Sequence, residues 1–434
     1  MNWRKYYNER KISIDDAAAM IQNNDVIVYG HAACEARLFA AALMKREKEL
    51  SNVKVIHGVS FGPGLYCQPE VDPSCIQHVS LFAAAQTRKA VQEGRASFAP
   101  MHFSDIPTNF QNGLLGVTVS VLHVSKPNED GLCSLGVGCD YEKEGKEAAR
   151  LVIAEVNEQM PRTYGDTFVH VSEIDYFVET DEPVLTIGLP VISDVEKKIA
   201  AHISELIEDG ACLQLGIGGV PNAIMEGLKT RNDLGIHTEM LSDSAMDLIK
   251  SGVVTNKKKS IHQGISVATF AAGSKEFYDW INENSLVELH RVQYINDPRI
   301  IAANDHVLSV NSALQVDLMG QVVAETVNGR QFSGIGGQMD FVRGANWSKG
   351  GKSIIAMPAG AKGDTISRIV AAHKAGDAVT TPRTDVDYIV TEFGSARLKG
   401  RGIADRARLL IAIAHPNFRD QLKDEFKEVY GYKL

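Results

Sequence analysis

The 434-residue chain carries 45 Lys+Arg against 54 Asp+Glu, a formal net charge of −9, with 44% hydrophobic and 23% charged residues. That composition excludes a disordered or collagen-like chain, and the acidic balance argues against nucleic acid as a partner. No apolar run approaches the roughly 18 residues of a membrane helix, and the opening Met1-Asn2-Trp3-Arg4-Lys5-Tyr6 has no signal-like apolar stretch behind it. The expectation is a cytoplasmic enzyme with no membrane partner.

In chain order, Ser13 with Asp16 three residues later marks a capped start for an Ala-rich helix. Residues 26–30 read as a buried strand, the stretch after Glu35 as a helix and residues 53–57 as a second strand. Residues 117–124 alternate like a strand and end at the turn signal Lys126-Pro127-Asn128-Glu129-Asp130-Gly131. Pro183 and Pro190 bracket a stall in the pattern, which sets a domain boundary there: 1–190 and 191–434. The second half repeats the rhythm, with a helix from Ser193 to about Asp209, a strand over 212–215, a glycine loop, and a helix from Asn222. Residues 314–318 and 321–324 flank Met319-Gly320 as a hairpin, Asn328-Gly329 is a further turn, and residues 401–434 are charged helices. The fold class is therefore α/β: two open, mostly parallel α/β domains, with the active site expected where they meet.

Several familiar chemistries lose their signals. Cys34, Cys67, Cys75, Cys133, Cys139 and Cys212 form no C-x-x-C pair and read as small buried thiols. There is no H-E-x-x-H, so no metal site is expected. Gly351-Lys352-Ser353 resembles the tail of a phosphate loop, but Asn346 stands where its first glycine belongs. Gly58-Val59-Ser60-Phe61-Gly62 matches a nucleophile elbow in letters, yet Pro63-Gly64 follow where a helix must start, so it reads as a glycine turn.

Two identical words, Gly216-Ile217-Gly218-Gly219 and Gly334-Ile335-Gly336-Gly337, each lie beside an expected strand. Glycines there would let a phosphate or a reacting carbonyl approach main-chain N–H groups at the start of a helix, and Pro221 fits that helix's first turn. A plain strand-to-helix turn fits the same letters. So does a dinucleotide fingerprint, although Pro221 replaces its third glycine; Glu239 lies close to where its ribose-binding acid belongs. Residues 234–238 can form a short strand, which places Glu239 at its carboxyl end as a nucleophile, a helix cap or an ion-pair partner.

Three blocks taken in order decide among these. Leu213-Gln214-Leu215-Gly216-Ile217-Gly218-Gly219-Val220-Pro221-Asn222-Ala223, Gly235-Ile236-His237-Thr238-Glu239-Met240-Leu241-Ser242-Asp243, and residues 331–345 around the second glycine word resemble the acetyl-CoA hydrolase/transferase family of class I CoA-transferases. The likeness extends through Asn157, residues 164–175, Val390-Thr391-Glu392-Phe393-Gly394 and His415-Pro416-Asn417-Phe418, nearly the whole chain. The resemblance implies ping-pong transfer of coenzyme A between an acyl-CoA and a small carboxylic acid such as acetate, propionate, butyrate or 4-hydroxybutyrate. It makes Glu239 the nucleophile and Gly337 a main-chain oxyanion donor beside the CoA site. It places CoA against Gln214, Leu215, Gly216, Ile217 and Gly218 with Gly219 adjoining, and adds Leu314 and Lys362. It also implies a homodimer, with hydrolysis as the alternative reaction; the first glycine word read by itself keeps a dinucleotide-dependent oxidoreductase behind that.

Other residues take blander readings. Lys257-Lys258-Lys259 is read as a solvated loop rather than a phosphate contact. His31, His237 and His415 are read as structural, Glu392 as a turn-orienting carboxylate, and Glu35 as a candidate for the acyl pocket.

Overall fold

A computed structural model describes every residue except Met1, Leu189 and Ile217. The chain divides into two compact units, Met1–Gly188 with Val267–Ile295, and Leu189–Ser266 with Asn296–Leu434. The first crossing falls beside the expected boundary. The second half is not one continuous piece, however: residues 267–295 leave it and join the first unit.

In the first unit, helix α1 (Ile14–Ala19) starts as its sequence requires, with Ser13 Oγ accepting the Asp16 N–H at 3.1 Å. Strands β1 (Val26–Tyr29), β2 (Val53–His57), β3 (Ile76–Ser80), β4 (Ser97–Phe98), β5 (Val119–Ser125), β6 (Leu151–Asn157) and β7 (Tyr176–Thr180) form one sheet in the order β7-β6-β5-β1-β2-β3-β4. Every pairing in it is parallel. All seven residues of β5 and all seven of β6 are buried, because a parallel sheet is covered on both faces. The alternation read over 117–124 therefore marks two buried faces, not one wet face. Helix α2 (Arg37–Lys45) lays Phe39, Ala40 and Leu43 against Ile27, Tyr29, Val53 and Val55.

The second unit opens with α3 (Asp194–Ser204), whose Ser193 and Glu196 make a reciprocal capping box. That helix stops about five residues before the expected end. Strands β8 (Cys212–Leu215), β9 (Gly235–Ile236), β10 (Val307–Ser312), β11 (Lys352–Ala356), β12 (Tyr388–Thr391) and β13 (Gly394–Arg397) form a sheet ordered β9-β8-β10-β11-β12-β13. It is parallel except for the β12–β13 hairpin. Helix α4 (Gly219–Gly227) begins at Gly219, three residues earlier than read, and α5 (Gln338–Trp347) follows the second glycine word. The Gln315–Asp317 and Val322–Val323 hairpin forms as expected. Asn328 and Gly329, both at positive φ, close a second hairpin in which Val327 pairs Arg330, the geometry of a mirror-image two-residue turn. The charged tail gives α6 (Ile403–Ile413) and α7 (Arg419–Tyr430), whose Leu410, Leu422 and Phe426 share a core with Val316, Ile355 and Ile389. Among the described residues, no helix is long and apolar enough to cross a membrane.

Candidate active site

In a parallel sheet the loops beyond the strands' carboxyl ends gather along one edge, the usual ligand edge of open α/β folds. In the second unit that edge collects nearly every residue singled out from the sequence. Gly216–Gly219 leave β8, Glu239 follows β9 by three residues, Leu314 follows β10 by two, Lys362 follows β11 by six and Glu392 follows β12 directly. Helix α5 runs back toward the start of β11, so Gly337 at its N-cap belongs to the same edge.

The first glycine word is held tightly at one end and open at the other. Gln214 is buried and its Oε1 accepts from Asn311 Nδ2 at 3.2 Å, while the Leu215 carbonyl accepts the Thr238 hydroxyl at 3.2 Å. A side chain at Gly216 or Gly218 would meet no atom within 4 Å, and Gly218 has φ +119°. The N-cap offers no side-chain oxygen to the first N–H groups of α4. Gly219 is closely packed: a Cβ there would stand 2.0 Å from Glu196 Oε1. Ile217 lies outside the described residues.

Glu239 is the last of three residues between the strand Gly235–Ile236 and the next short strand in the chain, Met240–Leu241, and is half-buried. Its backbone is fixed from behind, since His237 N–H bonds Leu213 O at 3.1 Å and Thr238 bonds Leu215 O. Its carboxylate is fixed from in front. Asn296 Nδ2 donates to Glu239 Oε2 at 2.7 Å and lies 3.3 Å from Asp340 Oδ2 on the first turn of α5. A Cβ on Gly337 would fall 1.9 Å from that same Oε2. Gly337 has φ −95°, which any residue adopts, so glycine is present here for space and not for conformation. The arrangement presents one carboxylate oxygen, tied by one amide, against a bare stretch of main chain at a helix start. An anionic nucleophile with an adjoining site for a developing oxyanion has these parts.

Two family descriptions match most of the chain: the acetyl-CoA hydrolase/transferase N-terminal domain over residues 1–188 and its C-terminal domain over residues 273–426. The chain belongs to the acetyl-CoA hydrolase/transferase family. It is 47% identical to a 4-hydroxybutyrate coenzyme A transferase of Clostridium kluyveri, across 99% of this chain and 100% of that protein. It is 42% identical to a succinyl-CoA:cyclohexane-1-carboxylate CoA transferase of Geobacter metallireducens, across 98% and 96%. Among solved structures, a 4-hydroxybutyrate CoA-transferase of Porphyromonas gingivalis superposes with a TM-score of 0.85 at 40% identity, over 99% of this chain and 100% of that one. RipA of Yersinia pestis superposes with a TM-score of 0.94 at 37% identity over the same shares. Family membership makes this an enzyme of the CoA-transferase class, with CoA as substrate.

Within this CoA-transferase fold the secondary candidates sort themselves. Lys362 is exposed at positive φ in a hairpin tip, and Leu314 is half-buried with its N–H on Val323 O at 2.9 Å. Glu392 Oε2 accepts the Ala359 N–H at 2.8 Å, which orients the turn leading to Lys362. His237 is buried, with Nδ1 3.4 Å from Asn304 Nδ2, and His415 Nδ1 accepts the Asn417 N–H at 3.4 Å. In the first unit, buried His31 pairs with buried Asp140 at 2.8 Å. Glu35 accepts the Gly62 N–H at 2.9 Å and the Ser60 hydroxyl at 3.1 Å, and burial raises its pKa above the ordinary carboxylate range. Those bonds give Glu35 a structural task and tie up Ser60, so the G-x-S-x-G string is a braced turn. Lys259 departs from its reading altogether: Lys257 and Lys258 are exposed, but Lys259 is buried.

Sequence reasoning missed Asn296 and Asp340. Asn296 has no motif around it beyond the turn-like Asn296-Asp297-Pro298, and only the fold carries it to a residue 57 positions away. Asp340 had a usable signal, an acid on the first turn of a helix that follows a glycine word.

Proposed function

We propose that this family member is an acyl-CoA:carboxylate CoA-transferase working through a glutamyl-CoA thioester on Glu239. The Glu239 carboxylate attacks the thioester carbonyl; the C–S bond breaks, giving an acyl-glutamyl anhydride and CoA thiolate. The thiolate then attacks the glutamyl carbonyl, and the first carboxylate leaves. An acceptor carboxylate runs the two steps in reverse. One carboxylate is exchanged for another at similar energy, so the cycle calls for no ATP. The Gly337 N–H would meet the oxygen that becomes anionic, and residues 214–219 with Leu314 and Lys362 would hold CoA. The observation that carries this reading is the Asn296–Glu239–Gly337 contact, which frees space at one oriented carboxylate oxygen.

Transfer is favoured over hydrolysis by identity. The relatives named as CoA transferases reach 47% and 42%, whereas an acetyl-CoA hydrolase of Yarrowia lipolytica is 28% identical across 77% of this chain. A short-chain acid such as acetate or 4-hydroxybutyrate is the proposed acceptor. The resemblance also implies a homodimer, testable by sedimentation velocity.

The test is mass spectrometry of protein mixed with acyl-CoA and no acceptor. CoA should appear on the peptide bearing Glu239, and borohydride should then inactivate the enzyme by reducing the thioester. Fresh Glu239→Gln should bind acyl-CoA, gain no CoA and lose several orders of magnitude in turnover. Near-normal turnover in a mass-verified mutant would defeat the assignment; a loss confined to binding would favour the dinucleotide reading.

A further inference from the structure

Strand β9 is the edge of its sheet, and backbone groups alternate in direction along it. The N–H groups of Gly235 and His237 face β8, bonding Ala211 O at 2.9 Å and Leu213 O at 3.1 Å. The N–H and C=O of Ile236 therefore face outward, just past the parallel bridge between Leu234 and Val254, and among the described residues no further strand pairs with them. Two side chains stand in for that strand. Asn256 Oδ1 accepts the Ile236 N–H at 2.9 Å, and Lys259 Nζ donates to Ile236 O at 2.9 Å and to Ile265 O at 2.7 Å.

Lys259 is only 2% exposed, so its Nζ reaches these carbonyls from inside the fold. Its path is also built into the strand. A Cβ at Gly235 would stand 2.6 Å from Lys259 Cγ, so glycine opens the channel through which the lysine stem passes. Ile236 is three residues before Glu239; between them the His237 N–H and the Thr238 hydroxyl bond β8, and the His237 ring meets Asn304.

From this geometry we infer that Lys259 is a positioning residue for Glu239: its ammonium clamps the outer edge of β9 and so fixes where the nucleophile stands. The inference rests on Glu239 being the nucleophile. It assigns Lys259 no contact with substrate, so it separates the rate of attack from the binding of CoA.

The test is single-turnover formation of the Glu239–CoA adduct, read beside the acyl-CoA dissociation constant and thermal melting, for wild type, Lys259→Met and Gly235→Ala. Methionine keeps the stem and drops the charge and its hydrogen bonds; alanine at 235 displaces the stem. Both variants should slow adduct formation on the order of 10–100-fold, with binding changed by less than about twofold. Adduct formation at the wild-type rate in folded Lys259→Met would overturn the inference. Equal losses in rate and affinity would overturn it too, because they mark a general loss of structure. Should Lys259→Met fail to fold, Gly235→Ala decides: the selective rate loss supports the clamp, and an undiminished rate removes it. Absence of any adduct on wild-type Glu239 would instead sink the nucleophile reading, and the clamp with it.

Discussion

Gly337 and Glu239 share space that no side chain can enter: a Cβ on Gly337 would lie 1.9 Å from Glu239 Oε2. Gly337→Val should therefore displace the carboxylate and crowd the site proposed for the developing oxyanion. The expected result is a fall in turnover on the order of 100-fold or more, with a loss of stability of about 1–3 kcal/mol, because the backbone at φ −95° suits a branched residue but its Cβ would also stand 2.2 Å from buried Asn296 Nδ2. Steady-state kinetics and a thermal melt on the same preparation check this, and full turnover would show that the carboxylate is not confined there.

Asn296 is fully buried; its Nδ2 holds Glu239 and its Oδ1 has no hydrogen-bond partner. Asn296→Ala should free the carboxylate and cost on the order of 10–100-fold in turnover. Asn296→Asp sets a carboxylate against Glu239 and Asp340, and like charge disfavours ionisation. Its activity should rise with pH through a higher midpoint than wild type, measured as the acid limb of the rate profile. An unmoved limb would show that Asn296 does not sense the charge on Glu239.

Gly219 is packed against the cap of α3, with Glu196 Oε1 2.0 Å from where a Cβ would stand. Glu196 also bonds the Ser193 N–H at 2.7 Å, so it cannot retreat without opening the capping box. Gly219→Ala should destabilise by about 1–3 kcal/mol, as overpacking does. Adding Glu196→Ala should recover part of that loss, giving a non-additive double-mutant cycle in denaturant melts. Strict additivity would place the cost elsewhere.

Acid should weaken the first unit through its buried histidines. Burial lowers His78 and His123 to about 4, so both are neutral in the folded protein near neutrality. Their folded pKa values lie below the unfolded value of about 6.5, so the unfolded chain binds more protons between those limits. Stability should fall as pH drops from about 6.5 towards 4 and be insensitive to these groups above 7. His78→Leu should reduce the slope of stability against pH by about one proton in that window. An unchanged slope in denaturant titrations would show that His78 does not supply it.

The sequence by itself determined what depends on neighbours along the chain. The β-α rhythm, the strand Cys212–Leu215, the caps at Ser13 and Ser193 and the Asn328-Gly329 turn follow from local spacing and from backbone conformations few residues adopt. Glu239 was legible for the same reason, because a short strand before it and a glycine word before that put both at the carboxyl edge of a parallel sheet. Tertiary structure alone decided what surrounds that carboxylate. Asn296 arrives from 57 residues away, Gly337 from the start of another helix, and Lys259 turns inward from a run of three lysines whose letters describe a wet loop. The return of residues 267–295 to the first unit belongs to the same class. Periodicity reports which face of an element is buried; it carries no record of which distant residue the burial brings to that face. Desolvation and hydrogen-bond satisfaction, which govern the contacts of Glu239 and the burial of Lys259, act only between groups that folding has already brought together.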